Sequence, residues 1–390
     1  MKDWQYKGGR LYLGNTLLKN FKTPCYVYHL GILEKKLSKW NQFKPKNSRA
    51  FYAMKANAHP TILKTIRKNG FGADVVSGGE LGIALKAGFK GENIVFSGVG
   101  KTEAEIQLAL KNNIKSINVE SYEELVRIVS LAKKTKKSAN VSLRWNPDVG
   151  PDTHRYISTG KKKDKFGIQN RELKKCLEFL LKHKKHINFQ GLNFHIGSQI
   201  QKTAPYVLAI RKTLSWVKKF EDQGLSVKHI SVGGGLGVVY RHEKPVRLKQ
   251  YFKAIEMALK HFDGEIFFEP GRYLTAEIGA LISEVQYVRS RMKTDLVILD
   301  TGMHHLIRPA LYEAFHPILP LKERVGKKKT YDFAGPICES SDMLGFDRKL
   351  TPLRQGDLVA ILMSGAYGMT MASHYNAHPL PKEYIISSRR

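Results

Sequence analysis

Short apolar runs recur between residues 49 and 272, and each stops at a polar or glycine-containing turn that mostly leads into a helix-like stretch. A buried strand alternating with a helix is typical of a (β/α)8 barrel. The pattern therefore predicts a barrel spanning residues 34–272. Eight such runs can be counted: 50–55, 73–76, 94–97, 116–120, 141–146, 191–196, 229–232 and 266–269.

Helix starts support this pattern. Three of the helix-like stretches begin with a hydroxyl residue followed three positions later by glutamate, at 77/80, 102/105 and 121/124. Such pairs satisfy each other's exposed backbone N–H groups, and we expect a capping box at each. The helix after Ser77 should bury Leu81, Ala84 and Leu85 and end near Gly88, because glycine favours the left-handed cap conformation.

The alternation of strand-like and helix-like segments weakens after about residue 273. Strand-like runs then dominate, at 280–288, 296–299 and 357–362. Residues 8–13 and 26–28 are also strand-like and precede the barrel. We therefore expect residues 1–33 and 273–390 to form a second, mainly β domain.

The composition is that of an ordinary globular protein of 390 residues, 42% of them hydrophobic. No apolar run approaches the roughly 18 residues that a membrane span needs, and none follows the basic start, so we expect a soluble, unexported protein. Cys25, Cys176 and Cys338 are odd in number and far apart, which argues against a disulfide framework and against a clustered metal site. This cysteine usage favours the reducing cytoplasm.

The formal net charge of +31 is unusual. Lysines recur along the whole chain, with short clusters at 161–163 and 327–329, and no recognised nucleic-acid module is present. We expect a solvated basic surface without specific nucleic-acid recognition. Such a surface binds polyanions weakly and in a salt-sensitive way.

Lys55 ends a strand-like run and is flanked by small residues. An amine in such a place suits a Schiff base, and the best-known use of such a lysine is to hold pyridoxal phosphate. Most lysines are solvated surface charges, so this interpretation depends on partners elsewhere in the chain.

Pyridoxal phosphate also needs phosphate donors, a partner for the pyridine nitrogen and a group flat against the ring. The turn at Gly233, Gly234 and Gly235 can offer backbone N–H groups to a phosphate, although three glycines can also be a flexible connection. Glu269 can keep the pyridine nitrogen protonated. Gly271 and Arg272 can add phosphate contacts, and the alternative for the segment 269–272 is a surface turn with an ion pair.

A histidine and two polar residues complete the candidate set. His195 also ends an apolar run, where its ring could stack on the cofactor, while Ser198 could bond the phosphate. A lone histidine is usually structural. Asp74 ends a further predicted strand, and the carboxyl ends of barrel strands carry functional groups. We assign it to cofactor binding.

Together these motifs identify a family. The chain resembles the fold-type III pyridoxal phosphate-dependent decarboxylases, and among them most closely the diaminopimelate decarboxylases, over nearly its whole length. The resemblance implies that Lys55 carries the cofactor as a Schiff base, that His195 stacks on its ring and that Glu269 faces its pyridine nitrogen. The matching segments are Tyr52 to Asn57, Ala73 to Glu80, Asn146 to Asp148, His154 to Gly160, Lys165 to Gly167, His195 to Gln199 and Glu269 to Arg272.

The resemblance also implies the substrate contacts. Diaminopimelate carries a distal carboxylate, and the planar guanidinium of arginine matches a carboxylate with two parallel hydrogen bonds. By resemblance, Arg308 and Arg272 reach this carboxylate with Tyr312 beside them, and Glu339 holds the distal ammonium. Tyr367 lies near both cofactor and substrate.

Cys338 could be merely a small buried residue. The resemblance implies instead that it protonates the reaction intermediate, and that one subunit lends Cys338 and Glu339 to the other in an obligate homodimer. The expected reaction is pyridoxal phosphate-dependent decarboxylation of meso-2,6-diaminopimelate to L-lysine and CO2, the last step of lysine biosynthesis.

Two segments depart from the family pattern. Met303-His304-His305 stands where the family commonly has Met-Asn-Asp, and Asn376-Ala377-His378-Pro379 stands for the usual Asn-Ser-Arg-Pro. The nearest rival functions are decarboxylation of lysine, ornithine or a carboxylated polyamine, against which Arg308 and Glu339 argue. An alanine-racemase-like activity gives no reason for Cys338-Glu339. A non-catalytic carrier of pyridoxal phosphate is the remaining alternative.

Overall fold

The computed structural model describes residues 3–150 and 165–387. Two sequence features named above lie outside these ranges: the segment from His154 to Gly160, which matches the family, and the lysine cluster at 161–163. Within the described ranges, no helix has both the length and the apolar character needed to cross a membrane.

The chain divides into two compact units. The barrel unit comprises Ser38–Gly237 and Lys244–Gly271, and the sheet unit comprises Met1–Leu37, Val238–Glu243 and Arg272–Arg390. The predicted domain boundaries fall at 33/34 and 272/273, and the two units meet along the chain at 37/38 and 271/272. No sequence pattern indicated that the short segment Val238–Glu243 groups with the sheet unit.

The N-terminal segment forms β1 (Trp4–Lys7), β2 (Arg10–Leu13), β3 (Thr16–Leu17) and β4 (Cys25–His29), and then α1 (Leu30–Phe43). The barrel strands follow as β5 (Ser48–Ala53), β6 (Gly72–Val75), β7 (Ile94–Phe96), β8 (Ser116–Val119), β9 (Ala139–Arg144), β10 (Ile187–Asn193), β11 (His229–Ser231) and β12 (Glu265–Phe268). Their helices are α2 (Pro60–Lys68), α3 (Gly78–Lys86), α4 (Glu103–Lys111), α5 (Tyr122–Lys134), α6 (Asn170–Lys182), α7 (Ala204–Asp222) and α8 (Leu248–Ala258).

Over the described ranges, these eight strands close into a parallel barrel in which β12 pairs with β5, as the sequence pattern predicts. Each strand ends one to three residues before its predicted end, with the largest differences at β5, β9 and β10. Strand β5 ends at Ala53, whose N–H donates to the Pro270 carbonyl, and Met54–Ala56 then form a 3-10 turn closed by the Asn57 N–H on the Met54 carbonyl. Strand β10 ends at Asn193 and begins at Ile187, and its register shifts between Phe189 and Gly191. The polar side chains within Ile187–Gln190 interrupt the apolar signal there.

The predicted helix caps are mostly confirmed. Thr102 and Glu105 form a complete capping box on α4. On α3, Ser77 accepts the Glu80 N–H, but the Glu80 carboxylate bonds the N–H of Val76 rather than that of Ser77. On α5, Ser121 likewise accepts the Glu124 N–H, and the Glu124 carboxylate accepts the N–H of Glu120 rather than that of Ser121. Helix α3 ends as predicted, with Gly88 at φ +86°.

Aromatic side chains fill the barrel unit beneath α1. Trp40 is almost fully buried, and its ring meets Phe252 and Phe268 edge to face with centroids 4.9 and 5.8 Å away. Edge-to-face contacts of this kind add to the stabilisation from burial. Trp40 therefore anchors the end of α1 on the barrel.

The sheet unit confirms the predicted β-rich second domain. Strand β4 pairs with β13 and β19, which shows that the opening segment packs with the C-terminal part. The other sheet strands run in the order β15, β18, β13, β14, β16, β17. The bounds are α9 (Arg272–Thr275), β13 (Gly279–Arg289), β14 (Asp295–Leu299), α10 (Arg308–Tyr312), β15 (Ile318–Pro320), β16 (Lys329–Ala334), β17 (Met343–Leu350), β18 (Leu358–Leu362) and β19 (Lys382–Ile386).

Candidate active site

Lys55 lies in the 3-10 turn that follows β5, at the carboxyl end of the barrel strands. Its side chain is exposed while Met54 and Ala56 on either side are buried. The turn is held from two sides, because the Tyr52 hydroxyl donates to the Asn57 carbonyl at 2.9 Å and a Cβ on Gly271 would lie 3.2 Å from Ala56. The structure therefore presents the amine on a fixed backbone.

Asp74 lies at the end of β6 and is buried. It accepts the Ser97 hydroxyl at 2.8 Å, and Ser97 in turn accepts the Asn118 amide at 3.0 Å. Burial raises the pKa of the Asp74 carboxyl, and the positive charge of Lys55 acts in the opposite direction. The barrel thus holds a carboxyl group that interacts electrostatically with Lys55.

Glu269 directly follows β12 and is also buried. Its Oε1 accepts the Asn193 amide at 2.6 Å and the Ser231 hydroxyl at 2.7 Å, and no described residue donates to Oε2. Burial, reinforced by the charge of Asp74, raises the pKa of Glu269 to about 7. One carboxylate oxygen is therefore fixed, and the other can accept a proton donor.

His195 follows β10 beside the glycine turn. The N–H of Gly234 donates to His195 Nδ1 at 3.1 Å, so Nδ1 is the unprotonated nitrogen of the ring. Burial lowers the pKa of His195 well below its usual value, and the charges of Lys55 and Arg144 add to this effect. The imidazole is therefore uncharged at neutral pH.

The glycine turn is too tight for side chains. Gly233 and Gly235 adopt φ of +67° and +93°. A Cβ on Gly233 would lie 2.9 Å from His195 Nδ1, and one on Gly234 would overlap the Glu269 carbonyl. Ser198 lies on the neighbouring loop, where Gly197 has φ +145°. The turn brings bare backbone close to His195 and Glu269, as phosphate and ring contacts require.

Sequence reasoning missed Arg144 at the end of β9. This buried guanidinium pairs with Glu120 at 2.6 Å. Its positive charge acts to lower the pKa values of His195, Asp74 and Glu269. For Asp74 and Glu269 this effect opposes the larger effect of burial. Asn193 and Ser231, which hold Glu269, were also missed. The signal available was their position at strand ends, as for the residues that were found.

The sheet unit holds a second set of candidates around Arg308, the first residue of α10. Arg308 is only 5% exposed. It donates to His316 Nε2 at 2.8 Å, and His316 Nδ1 lies 2.8 Å from the Leu362 carbonyl. Since a carbonyl can only accept, Nδ1 carries the proton and His316 is neutral. Arg308 Nε has no hydrogen-bond partner among the described residues, so the guanidinium retains a donor for an anion.

Tyr240 connects the arginines of this set. Arg272 donates to the Tyr240 hydroxyl at 2.9 Å and lies over the Tyr367 ring at 4.7 Å, while Arg308 lies over the Tyr240 ring at 5.0 Å. Burial alone would raise the pKa of the Tyr240 phenol, but the charges of Arg272 and Arg308 lower it below its usual value. Tyr312, at the end of α10, also interacts electrostatically with Arg272.

Cys338 and Glu339 lie elsewhere in the sheet unit, on the exposed segment between β16 and β17. Cys338 is a free, exposed thiol. The Tyr375 hydroxyl donates to Glu339 Oε1 at 2.6 Å. Nearby, the buried Asp342 carboxylate accepts the N–H groups of Met303 and Ile337 at 2.5 and 2.7 Å. The segment is therefore exposed at its tip and fixed at its base.

Pyridoxal phosphate fits the barrel unit. Lys55 offers an accessible amine, Glu269 Oε2 is open to a ring N–H, and the glycine turn leaves space that a Cβ would fill. Arg308, with an open donor and a neutral partner, fits a carboxylate. The described residues contain no group of three or more histidine, cysteine, aspartate or glutamate side chains that could hold a metal ion.

Comparison with known proteins agrees with this chemistry. The family model "Pyridoxal-dependent decarboxylase, pyridoxal binding domain" matches residues 30–276. The chain is 43% identical to the diaminopimelate decarboxylase of Bacteroides thetaiotaomicron, with 94% of this chain and 96% of the relative covered. For the Aquifex aeolicus enzyme of the same name the identity is 38%, with 98% and 92% covered. The crystal structure of diaminopimelate decarboxylase from Helicobacter pylori complexed with L-lysine matches with a TM-score of 0.90 at 40% identity, covering 95% of this chain and 93% of that one.

Proposed function

Because the chain belongs to the pyridoxal-dependent decarboxylases and converts meso-2,6-diaminopimelate to L-lysine and CO2 with pyridoxal 5'-phosphate, we propose that the side chains described above divide the work of this reaction. The activity is that of a carboxy-lyase in lysine biosynthesis. The roles of the individual residues and the assembly into a homodimer are our proposals.

The cofactor, when bound, supplies an electron-poor ring that accepts the electron pair released as CO2 leaves. Lys55 binds its aldehyde carbon. Glu269 Oε2 accepts the proton on the pyridine nitrogen, while Asn193 and Ser231 hold Oε1. His195 stacks on the ring as a neutral imidazole. Asp74 lies close enough to interact electrostatically with Lys55.

The phosphate is bound by backbone and hydroxyl donors. We assign this role to Gly233, Gly234 and Gly235, together with Ser198, Gly271 and Arg272. The backbone of the turn is already formed, but the N–H groups of Gly233 and Gly234 donate to the Ser231 hydroxyl and to His195 Nδ1, so binding of the phosphate would replace these two contacts.

Arg308 carries the choice of substrate. Its guanidinium is buried, its described hydrogen-bond partner is a neutral imidazole, and its buried Nε has no partner among the described residues. A buried cation without a carboxylate partner is costly, so a substrate carboxylate is the natural complement. We propose that Arg308, supported by Arg272, Tyr312 and Tyr367, binds the distal carboxylate that L-lysine and ornithine lack.

Cys338 and Glu339 complete the assignment. Cys338 donates the proton that replaces CO2, and Glu339 holds the distal ammonium of the substrate. We propose that both act in the partner subunit of a homodimer, in agreement with their exposure on this chain. We also propose that the protein works in the cytoplasm, where its three free cysteines would stay reduced.

The substrate assignment is tested by comparing kcat/KM for meso-diaminopimelate and for L-lysine. We expect a large preference for the diacid, and a preference for L-lysine would overturn the role given to Arg308.

The dimer is tested by mixing Lys55→Ala with Cys338→Ala, each nearly inactive alone. If subunits share sites, random exchange forms hybrid dimers with one intact site, and activity should return to about one quarter of the wild-type value. If no activity returns although the subunits exchange, the shared site is wrong.

A further inference from the structure

His316 is a fully buried histidine that follows α10 in the sheet unit. Its two ring nitrogens bind groups from different parts of that unit. Nε2 lies 2.8 Å from Nη1 of Arg308, the first residue of α10, and Nδ1 lies 2.8 Å from the carbonyl of Leu362, the last residue of β18. A single imidazole therefore connects the guanidinium of Arg308 to the end of a sheet strand.

The two contacts fix which nitrogen of His316 carries the proton. The Leu362 carbonyl can only accept, so Nδ1 donates, and the guanidinium of Arg308 can only donate, so Nε2 accepts. An imidazolium, which is protonated on both nitrogens, could not accept from Arg308. Burial and the charge of Arg308 lower the pKa of His316 well below its usual value. The ring is therefore a neutral acceptor at physiological pH.

Aromatic packing further limits the guanidinium of Arg308. It lies over the Tyr240 ring at 5.0 Å, and the His316 ring meets the same Tyr240 ring edge to face, with centroids 5.6 Å apart. All three side chains are buried. They form one packed cluster in which Arg308 Nε has no hydrogen-bond partner among the described residues. The guanidinium is thus held on one edge and keeps a donor for another group.

A neutral acceptor suits a guanidinium that must stay available to an anion. A carboxylate at position 316 would pair with Arg308 and neutralise its charge, so a substrate carboxylate would have to compete with it. A side chain without an acceptor would leave the guanidinium free to adopt other orientations, and a misplaced binding group weakens the productive complex. The imidazole avoids both outcomes, because it accepts one N–H and leaves the positive charge of Arg308 uncompensated.

We propose that His316 is a positioning residue that fixes the guanidinium of Arg308 for the distal carboxylate of meso-diaminopimelate without neutralising its charge. This role rests on the proposed function of Arg308 in substrate choice. Both ring nitrogens of His316 are already bonded, so the histidine contributes to substrate binding only through Arg308. Its loss should therefore raise KM for the diacid by a larger factor than it lowers kcat.

Three replacements of His316 separate orientation from charge. Glutamine stays neutral and keeps a donor and an acceptor on neighbouring atoms, leucine keeps neither, and glutamate keeps an acceptor but adds a negative charge. For each variant, kcat and KM for meso-diaminopimelate are measured and the bound cofactor is quantified. We expect KM to stay within about threefold of the wild type in His316→Gln and to rise about tenfold in His316→Leu and in His316→Glu, with unchanged cofactor content.

A double variant shows whether His316 acts through Arg308. In an Arg308→Leu background, His316→Leu should cause no further loss of kcat/KM, because the group that His316 positions is already absent. A histidine that only supports the fold would cause the same loss in both backgrounds, and that result would overturn the positioning role. His29→Asn is the matched control, at another buried histidine of the sheet unit, which accepts the Ile32 N–H at 3.3 Å. It should keep the wild-type KM.

The failure of either proposal can be recognised. If Arg308→Leu leaves kcat/KM for the diacid unchanged, the role of Arg308 is wrong and that of His316 falls with it. If Arg308→Leu lowers kcat/KM but His316→Leu and His316→Glu keep the wild-type KM, only the role of His316 is wrong. Should these two variants not fold, nitrogen NMR of the wild-type imidazoles decides. A proton on Nδ1 alone supports the proposal, whereas a proton on Nε2 of His316 would remove the acceptor for Arg308 and overturn it.

Discussion

Replacing Ser231 with alanine tests how the barrel controls the charge of Glu269. The hydroxyl is one of two donors to Oε1, the other being the Asn193 amide. A hydrogen bond to a charged group contributes about 1.5–3 kcal/mol. One pKa unit corresponds to about 1.4 kcal/mol, so losing this donor should raise the pKa of Glu269 by roughly one to two units. The pKa starts at about 7, so the carboxyl of Ser231→Ala would be mostly protonated at neutral pH.

A protonated Glu269 cannot accept the proton of the pyridine nitrogen. As the pH is lowered, the affinity for pyridoxal phosphate should therefore begin to decline at a higher pH in Ser231→Ala than in the wild type. The two curves should be separated by about one to two pH units. The assay is the dissociation constant for the cofactor, measured by absorbance at a series of pH values between about 6 and 9.5.

Ser116→Ala is the matched control. Ser116 is another buried serine in a barrel strand, and its hydroxyl bonds Ser142 at 2.7 Å rather than Glu269. Its curve should coincide with that of the wild type. If the curve of Ser231→Ala also coincides with the wild type, Ser231 does not tune Glu269 and the electrostatic reasoning is refuted.

Three further outcomes are expected. Arg308→Leu should lower kcat/KM for meso-diaminopimelate by about 100-fold, since a buried charge-assisted pair is lost, and should leave cofactor content unchanged; an unaltered kcat/KM would exclude Arg308 from the site. Cys338→Ala should retain the cofactor absorbance but lose most of kcat, and an unchanged kcat would remove Cys338 as proton donor. Trp40→Ala should lower the free energy of unfolding by about 3–5 kcal/mol in a denaturant titration, because a buried indole leaves a cavity beneath α1; a change below about 1 kcal/mol would contradict the packing described.

The barrel could be predicted because each strand is a short apolar run closed by a turn. The same regularity located Lys55, Asp74, His195 and Glu269, since functional groups of this fold follow the strands. The prediction failed only locally. Lys55 lies in a 3-10 turn rather than in β5, and the last strand residue, Ala53, bonds the Pro270 carbonyl. Such a contact depends on residues more than two hundred positions away.

The supporting residues of the site could not be found in this way. Arg144 and Ser231 are the last residues of their strands, but position alone does not identify them, because whether such a side chain points into the barrel depends on the strand's register, which no local pattern fixes. The neutral state of His316 follows from its contacts with Arg308 and Leu362, which only the folded sheet unit provides. Chemistry at strand ends is visible in the sequence, whereas the networks that tune it are not.

The packed rings of His304, His305 and His378 illustrate the same limit. Each departure from the family pattern was visible in the sequence, but nothing there indicated that positions 304 and 378 meet. Their contact arises because β14 and the C-terminal segment belong to one sheet unit.

The central claim is that the amine of Lys55 holds pyridoxal phosphate. Reduction of the reconstituted protein with borohydride fixes the cofactor to the amine that carries it, and peptide mapping by mass spectrometry then identifies that residue. We expect one pyridoxyl group per chain, located on Lys55 and missing from Lys55→Ala. A label on another lysine, or no label in the wild-type protein, would contradict it.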